Sequence, residues 1–220
     1  MVTNRERGKG LELGLYVITA ADAGGGWGHL DVVRAALAGG ADAVQLRDKE
    51  VGGAELYRLA LEALELVRGS GGGRLFLVND RVDVALAAGA DGVHLGQEDL
   101  PASAARRILG AGAVLGVSAS SVEEALAAER EGADYLGVGP VFPTPSKPDA
   151  GGPLGLEGLR AIRNAVGLPL VAIGGINEDN LEEVFAAGAD GIAVISAVTS
   201  ARDMEEAVRR LRRAVDACRA

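Results

Sequence analysis

One pattern of small, acidic and apolar residues recurs four times along the chain. Each copy consists of a small-residue turn, an Ala-Asp pair and a short apolar run, and each follows an amphipathic helical stretch such as VEEALAAER. The copies are GGADAVQLRD (39–48), AGADGVHLGQ (88–97), EGADYLGVGP (131–140) and AGADGIAVIS (187–196). Because glycine tolerates a positive φ at a helix end, the pattern predicts a helix that turns directly into a strand.

The spacing of the copies predicts one additional strand before the first copy and one in every gap. The Ala-Asp pairs begin at residues 41, 90, 133 and 189, whereas a strand–helix–strand unit needs only about 30 residues. Eight strands should therefore alternate with eight helices, the last helix covering residues 204–220. The additional apolar segments are LYVIT (15–19), RLFLV (74–78), AVLGV (113–117) and LPLVAI (168–173).

Eight regular alternations predict an α/β fold of one domain, a closed (β/α)8 TIM barrel. The 220 residues suffice for this fold, which needs at least about 200. The alternative is an open doubly wound sheet, but AADAGGGWGH after the first strand lacks the glycine spacing of a dinucleotide-binding turn. We expect residues 1–11 to form a flexible tail and residues 12–220 to form the barrel.

Composition and charge restrict the partners of this barrel. The net charge is −9 without any basic run, which argues against nucleic-acid and membrane-surface binding. The single cysteine, Cys218, excludes an intramolecular disulfide and favours a reducing compartment. Since the N-terminus also lacks the pattern of a signal peptide, we expect a cytoplasmic protein that acts on small molecules. Whether the protein forms a homo-oligomer is left open.

Cationic residues follow the second predicted strand, at the end of the barrel where this fold carries its chemistry. Gln45, Arg47 and Lys49 stand at alternate positions, and alternate side chains of an extended segment share one face. Two cations and an amide on one face suit a phosphate or pyrophosphate. The alternative is a solvated strand end with salt bridges to Asp48 and Glu50.

Two carboxylates follow the third and fourth strands. Asp80 and Asp99 should converge at the mouth of the barrel, beside the cations. Mg²⁺ prefers hard oxygen ligands and commonly combines one or two carboxylates with substrate phosphates. The sequence therefore predicts a Mg²⁺ site. The alternative is that each aspartate caps the helix that follows it.

The two histidines do not predict a zinc site. His94 lies on the fourth strand, and we interpret it as an interior residue hydrogen-bonded to its neighbours rather than as a general acid or base. His29 is placed at the start of a helix.

A second anion site is predicted after the last three strands. Residues 139–153 form a long proline-rich loop, and loops of this length usually bind ligands or cover them, although a stiff surface loop is the alternative. Its polar side chains include Thr144, Ser146 and Lys147. Gly174-Gly175 and Ile195-Ser196 follow strands seven and eight, where barrels commonly bind phosphate through backbone N–H groups.

Several of these segments together carry a family resemblance. They are VQLRDK (44–49), VND (78–80), DGVHLGQEDL (91–100), GVS (116–118), ADYLGVGPVFPTPSK (133–147), AIGGIN (172–177) and ADGIAVIS (189–196). In this order, over nearly the whole chain, they resemble the thiamine phosphate synthase family, also called thiamine-phosphate pyrophosphorylase. The combination of DGVHLGQEDL with GVGPVFPTPSK is highly specific.

The resemblance implies a reaction and a set of site residues. Members of the family join hydroxymethylpyrimidine diphosphate to a thiazole phosphate, which releases pyrophosphate and gives thiamine phosphate. The implied ligands of Mg²⁺ are Asp80 and Asp99. The implied pyrimidine diphosphate site is Gln45, Leu46, Arg47, Asp48, Lys49, Asn79, Ser118 and Lys147, of which the catalytic residues are Arg47, Lys49, Ser118 and Lys147. The implied thiazole phosphate site is Thr144, Pro145, Ser146, Gly175, Ile195 and Ser196.

One segment departs from the family pattern, and three other functions stay open. Many members have Ser-x-His-Thr after the fifth strand, where this chain has Ser118, Ala119, Ser120 and Ser121, so a contact of that histidine is absent or replaced. The first alternative function is that of a thiazole tautomerase-like relative, which does not need the diphosphate-binding residues. The others are a phospho-sugar isomerase or epimerase, which needs an acid–base pair, and a non-catalytic binding protein.

Overall fold

The computed structural model describes residues 10–20, 26–144 and 152–219, in which strands and helices alternate. The strands are β1 (Leu15–Ile18), β2 (Ala43–Leu46), β3 (Leu75–Asn79), β4 (Gly92–Leu95), β5 (Val114–Ala119), β6 (Tyr135–Val138), β7 (Leu170–Ile173) and β8 (Gly191–Val194). The helices are α1 (His29–Gly39), α2 (Gly53–Gly69), α3 (Val82–Ala88), α4 (Ala102–Leu109), α5 (Val122–Glu131), α6 (Gly155–Ala165), α7 (Leu181–Ala186), α8 (Ser196–Thr199) and α9 (Met204–Arg219).

The eight strands form a closed parallel barrel. Each strand pairs with the next, and β8 pairs with β1, so that Val17 lies between Val44 of β2 and Val194 of β8. The predicted (β/α)8 fold is therefore confirmed, and the open-sheet alternative is wrong. Because all strands run in the same direction, their C-terminal ends meet at one end of the barrel.

The sheet separates two apolar layers. Outward-facing residues such as Val17, Val44 and Phe76 pack against the helices in the larger layer. Alternating side chains point into the barrel and form a smaller layer. This inner layer consists of Leu13, Tyr16, Ile18, Ala43, Leu77, Tyr135, Val171 and Ala193.

The repeated Ala-Asp pair connects neighbouring strands at the N-terminal end of the barrel. In each copy the aspartate carboxylate accepts a backbone N–H from the preceding odd-numbered strand at 2.8 Å. The aspartate N–H donates in return to the carbonyl of that same strand residue. The four pairs are Asp42 with Leu15, Asp91 with Phe76, Asp134 with Leu115 and Asp190 with Leu170.

An arginine completes each of these contacts from an outer helix. Asp91, Asp134 and Asp190 bind Arg68 of α2, Arg106 of α4 and Arg163 of α6, and Asp42 binds Arg212 of α9. The last pair joins residues 170 positions apart and so ties the end of the chain to β2. The sequence repeat thus corresponds to a fourfold structural repeat that fixes the register of the barrel at the end opposite its chemistry.

The glycines of the repeat have the conformation that the sequence predicts. Gly40, Gly89 and Gly132 end α1, α3 and α5 with φ values of 91°, 70° and 97°. In this left-handed region a residue with a side chain is strained, whereas glycine is not.

The helix count differs from the expectation. The described residues contain one helix more than the eight predicted, because the four-residue α8 precedes α9. Such a short segment shows no helical periodicity in the sequence. Residues 1–9 of the predicted tail lie outside the described residues, whereas Leu11 packs against the inner layer. No described helix is both long and apolar enough to cross a membrane.

Candidate active site

The C-terminal ends of all eight strands surround a cavity of about 610 Å³. Eleven residues predicted from the sequence line it: Gln45, Arg47, Lys49, Asn79, Asp80, Asp99, Ser118, Thr144, Gly175, Ile195 and Ser196. The predicted residues Pro145, Ser146 and Lys147 lie outside the described residues. Parallel strands thus bring together residues that are up to 151 positions apart in the sequence.

Two tyrosines form the floor of the cavity. The hydroxyl groups of Tyr16 on β1 and Tyr135 on β6 are 3.1 Å apart. Gln45 donates its side-chain N–H to the Tyr16 hydroxyl at 2.8 Å. On the other side, Nδ1 of His94 lies 2.9 Å from the Tyr135 hydroxyl, and its Nε2 lies 3.0 Å from the Ser118 hydroxyl. A continuous hydrogen-bonded chain therefore crosses the floor from Gln45 to Ser118.

Two glycines make room for this chain. A Cβ atom at Gly116 would lie 2.2 Å from the Tyr135 ring, and one at Gly137 would lie 2.8 Å from the His94 ring. Real Cβ atoms do not approach other atoms so closely, so any larger residue would displace the floor. His94 thus has the interior, hydrogen-bonded role that we expected.

The segment after β2 divides its side chains between two environments. Gln45, Arg47 and Lys49 face the cavity, as their alternate positions predict. Leu46 and Asp48 point the other way, because alternation turns them toward the helices. Leu46 is fully buried in the outer layer, and Asp48 binds His29. Their side chains are therefore not among those that line the cavity.

Asp80 and Asp99 face one another beside Lys49. The Asp99 carboxyl lies close enough to Asp80 to raise its pKa, and the Lys49 ammonium lies 3.8 Å from Asp80. Asp99 also accepts the backbone N–H of Gly96 at 2.7 Å. The alternative that the aspartates cap helices is wrong, because the cap positions of α3 and α4 are Arg81 and Pro101.

The backbone of Asp80 is strained. Asp80 is not a glycine, yet its φ of 61° lies in the left-handed region of backbone conformation. Backbone strain of this kind persists where the surrounding structure holds it, and it is common at functional sites. Here the strained position directs a carboxylate into the cavity.

The electrostatics of the aspartate pair suit a divalent cation. Burial and the neighbouring Asp99 raise the pKa of Asp80 from 3.8 to about 6, against a weaker opposing effect of Lys49 and Arg47. A divalent cation would neutralise both carboxylates. Among the described residues, no group of three or more His, Cys, Asp or Glu side chains could hold a metal ion. Water molecules and substrate phosphate oxygens would therefore complete the coordination.

The loops after β6, β7 and β8 form a second polar wall, which consists of Thr144, Gly175, Ile195 and Ser196. Gly174 and Gly175 have φ values of 98° and 65°. A Cβ at Gly175 would lie 2.7 Å from the Pro143 carbonyl oxygen, so glycine is required for the two loops to pack. Asn180 fixes the Gly175 carbonyl with a 2.9 Å hydrogen bond. This wall offers hydroxyl and backbone groups, unlike the charged wall opposite.

Comparisons with known proteins identify the family of the chain. The family model for thiamine monophosphate synthase matches residues 15–198. The chain belongs to this family. It is 58% identical to the thiamine-phosphate synthase of Moorella thermoacetica, over 93% of this chain and 97% of that protein. The synthase of Chloroflexus aurantiacus is 54% identical, over 90% of each chain.

A solved structure from the same family has the same fold. It is the thiamine phosphate pyrophosphorylase from Pyrococcus furiosus, which is 48% identical and superposes with a TM-score of 0.86. The match covers 94% of this chain and 98% of that one. The resemblance to the thiamine phosphate synthase family and the assignment as an enzyme of thiamine phosphate synthesis are confirmed.

The sequence did not point to Tyr16 and Tyr135, although a signal was present. Aromatic residues make up 3% of the chain, yet these two tyrosines lie on strands that close an apolar barrel. A buried tyrosine hydroxyl needs a hydrogen-bond partner. Polar tyrosines on inward-facing positions therefore indicate a polar floor.

Ser120, which departs from the family pattern after β5, is hydrogen-bonded to a neighbouring carboxylate. Ser120 donates its backbone N–H and its hydroxyl to the Glu124 carboxylate, at 2.7 and 3.0 Å. Both residues line the cavity. Where many members of the family have a histidine, this chain thus has a serine that is bound to Glu124.

Proposed function

We propose that this cavity condenses hydroxymethylpyrimidine diphosphate with a thiazole phosphate, or with a thiazole carboxyphosphate that also loses CO₂, giving thiamine phosphate and pyrophosphate. One observation supports this most strongly. A wall of cations and carboxylates faces a wall of hydroxyl and backbone groups across a single cavity. The first wall suits a diphosphate with a metal ion, and the second suits a single phosphate.

The charged wall would stabilise the leaving pyrophosphate. Arg47 and Lys49 supply positive charge on one face of the cavity, and Asn79 lies beside them at the end of β3. Asp80 and Asp99 would hold Mg²⁺ against the phosphate oxygens. When bound, Mg²⁺ neutralises charge that develops on the leaving group. Preorganised cations in the cavity have the same effect without having to reorient during the reaction.

The floor would hold the pyrimidine ring. The bond from Gln45 to Tyr16 fixes the orientation of the amide, and this leaves the Gln45 carbonyl oxygen to accept from the amino group of the pyrimidine. The Ser118 hydroxyl, held by His94, stands at the other end of the floor. The ring would thus lie between the two walls.

The hydroxyl-lined wall would hold the thiazole phosphate through Thr144, Gly175, Ile195 and Ser196, with Pro145, Ser146 and Lys147 as predicted additional contacts. The C–O bond to pyrophosphate breaks, and the pyrimidine-stabilised cation is captured by the thiazole nitrogen, which forms the new C–N bond. No proton has to be removed from the nucleophile. The chain needs anion-binding groups more than a strong base for this chemistry.

The direct test is to incubate the purified protein with both substrates and Mg²⁺ and to measure both products. Thiamine phosphate and pyrophosphate should form in equal amounts, and only when both substrates are present. Conversion of the thiazole phosphate alone would instead indicate a tautomerase-like activity. Binding of either compound without product would indicate a non-catalytic binding protein.

The titration of Asp80 gives a pH prediction. Because its folded-state pKa lies above the ordinary value, the metal-free protein should lose stability as pH rises from 3.8 through about 6. Mg²⁺ competes with this proton, so the increase in Tm on adding Mg²⁺ should be large well above pH 6 and small well below it. Thermal unfolding with and without Mg²⁺ measures this, and an increase that is independent of pH would contradict a metal at Asp80.

Replacing Ser196 with alanine should raise KM for the thiazole phosphate roughly tenfold, which is the cost of one hydrogen bond to a charged group. The KM for the pyrimidine diphosphate should not change. Ser200→Ala is a matched control, because Ser200 ends the same short helix on the surface. Steady-state kinetics with each substrate varied in turn would decide, and an effect confined to the pyrimidine substrate would reverse the two sites.

The remaining expectations stay predictions. They are the division into a tail at 1–11 and a barrel at 12–220, the cytoplasmic location, and small phosphorylated substrates without a nucleic-acid partner. The single cysteine supports the cytoplasmic location, and the net charge of −9 supports the expectation that nucleic acid is not a partner.

A further inference from the structure

His29 is a buried histidine that lies outside the cavity and has a hydrogen bond on each ring nitrogen. It is the first residue of α1 and is 7% exposed. Its Nδ1 lies 2.7 Å from the hydroxyl of Thr19, which directly follows β1. Its Nε2 lies 2.9 Å from the carboxylate of Asp48, which follows β2. The imidazole thus connects α1 with the ends of two neighbouring strands.

Both partners of His29 also bind the segment that carries the cavity cations. The Thr19 hydroxyl oxygen accepts the backbone N–H of Arg47 at 3.1 Å. The other oxygen of Asp48 accepts the backbone N–H groups of Glu50 and Val51, at 2.8 and 3.2 Å. Residues 47–51 are therefore held at three backbone positions.

The charge state of Asp48 strengthens these contacts. Although partial burial raises the pKa of Asp48, its hydrogen bonds to His29, Glu50 and Val51 lower the pKa more, and it stays below the ordinary value. An ionised carboxylate accepts a hydrogen bond from Nε2–H. The Thr19 hydroxyl oxygen accepts the backbone N–H of Arg47, so the hydroxyl proton is available to be donated to Nδ1 of His29. A neutral imidazole satisfies every group in this arrangement.

An Asp–His–Thr arrangement also suggests nucleophilic catalysis, but the geometry is against it. Thr19 is fully buried, and the residues that line the cavity include neither Thr19, His29 nor Asp48. A hydroxyl that no substrate can reach is not a nucleophile. The arrangement has to act through the residues that it holds.

We propose that Thr19, His29 and Asp48 form a brace that positions Arg47 and Lys49 for the leaving diphosphate. This inference rests on the proposed function. Asp48 lies between the two cations in the sequence, so fixing its side chain toward α1 turns Arg47 and Lys49 toward the cavity. Long cationic side chains bind an anion best when their backbone is already held in place.

The test compares His29→Ala with His29→Gln. His29→Ala leaves Asp48 and Thr19 without their shared partner, so binding of inorganic pyrophosphate with Mg²⁺ should weaken by roughly 10- to 100-fold. The KM for the pyrimidine diphosphate should rise similarly, while the KM for the thiazole phosphate should not change. His29→Gln retains a side-chain N–H that can reach Asp48, so it should recover part of the loss. Titration calorimetry and steady-state kinetics measure these effects.

A matched control separates positioning from general destabilisation. Asp190→Asn weakens a contact with Arg163 at the opposite end of the barrel and should lower Tm without affecting either KM. If His29→Ala lowers Tm but binds pyrophosphate as tightly as the wild type, the brace is only structural and the inference is wrong. Pyrophosphate binding is measured without turnover, so this outcome differs from failure of the proposed function, in which the wild type would form no thiamine phosphate.

Discussion

Replacing Asp80 with alanine is expected to lower kcat/KM for the pyrimidine diphosphate by about 100-fold or more, since a metal ion contributes several kcal/mol to charge stabilisation. The substitution removes one of the two carboxylates that suit Mg²⁺ and leaves Asp99 alone. The Mg²⁺ concentration needed for half-maximal activity should rise as well. Measuring activity against Mg²⁺ concentration tests both effects.

A second variant separates the charge of Asp80 from its backbone. Asp80 has a φ of 61°, which asparagine accepts more readily than alanine. Asp80→Asn should therefore fold at least as well as Asp80→Ala but still bind Mg²⁺ weakly. Asp83→Ala is the control, because Asp83 lies on the exposed face of α3 and pairs with Arg81. Full activity of Asp80→Asn with an unaltered Mg²⁺ dependence would remove Asp80 from the metal site.

Replacing Arg106 with alanine is expected to produce the largest loss of stability among the arginines of the fourfold repeat. Arg106 and Asp134 are only 12% and 15% exposed, and their ion pair is 2.5 Å long. Removing one partner of a largely buried pair costs about 3 kcal/mol, which lowers Tm by roughly 6–12 °C in a domain of this size. The guanidinium also binds the carbonyl groups of Gly110, Ala113 and Gly132.

Thermal unfolding of matched variants would test this role of Arg106. Arg58→Ala is the control, because Arg58 forms exposed pairs with Glu55 and Glu62 within α2, and such surface pairs contribute little to stability. Its Tm should stay close to that of the wild type. Equal Tm values for Arg106→Ala and Arg58→Ala would show that the repeat does not stabilise the barrel.

The fold was predictable from the sequence because the repeat marks every second helix-to-strand junction. Four Ala-Asp pairs and the apolar segments between them located eight strands, and strand direction then placed the polar residues at one end. The role of the aspartates was not predictable, since each binds an arginine at least 23 positions away, and Asp42 binds one 170 positions away. Contacts at such separations leave no local pattern.

The site was predictable where strand alternation decides the direction of a side chain. Alternation correctly grouped Gln45, Arg47 and Lys49. The same rule turns Leu46 and Asp48 away, although the family motif contains all five residues. The floor of Tyr16 and Tyr135 depends on packing across the barrel, between β1 and β6, and could not be derived from either strand alone.

The most direct test of two separate anion sites is a pair of titrations on the same protein. Thiazole phosphate is titrated into the protein alone, and then into protein saturated with Mg²⁺ and inorganic pyrophosphate. Two walls on opposite sides of one cavity predict that both ligands bind together, so the thiazole phosphate should bind in both titrations with one-to-one stoichiometry. Loss of thiazole phosphate binding in the presence of pyrophosphate, restored as pyrophosphate is diluted, would mean that the ligands compete for one site and would contradict a two-substrate transferase.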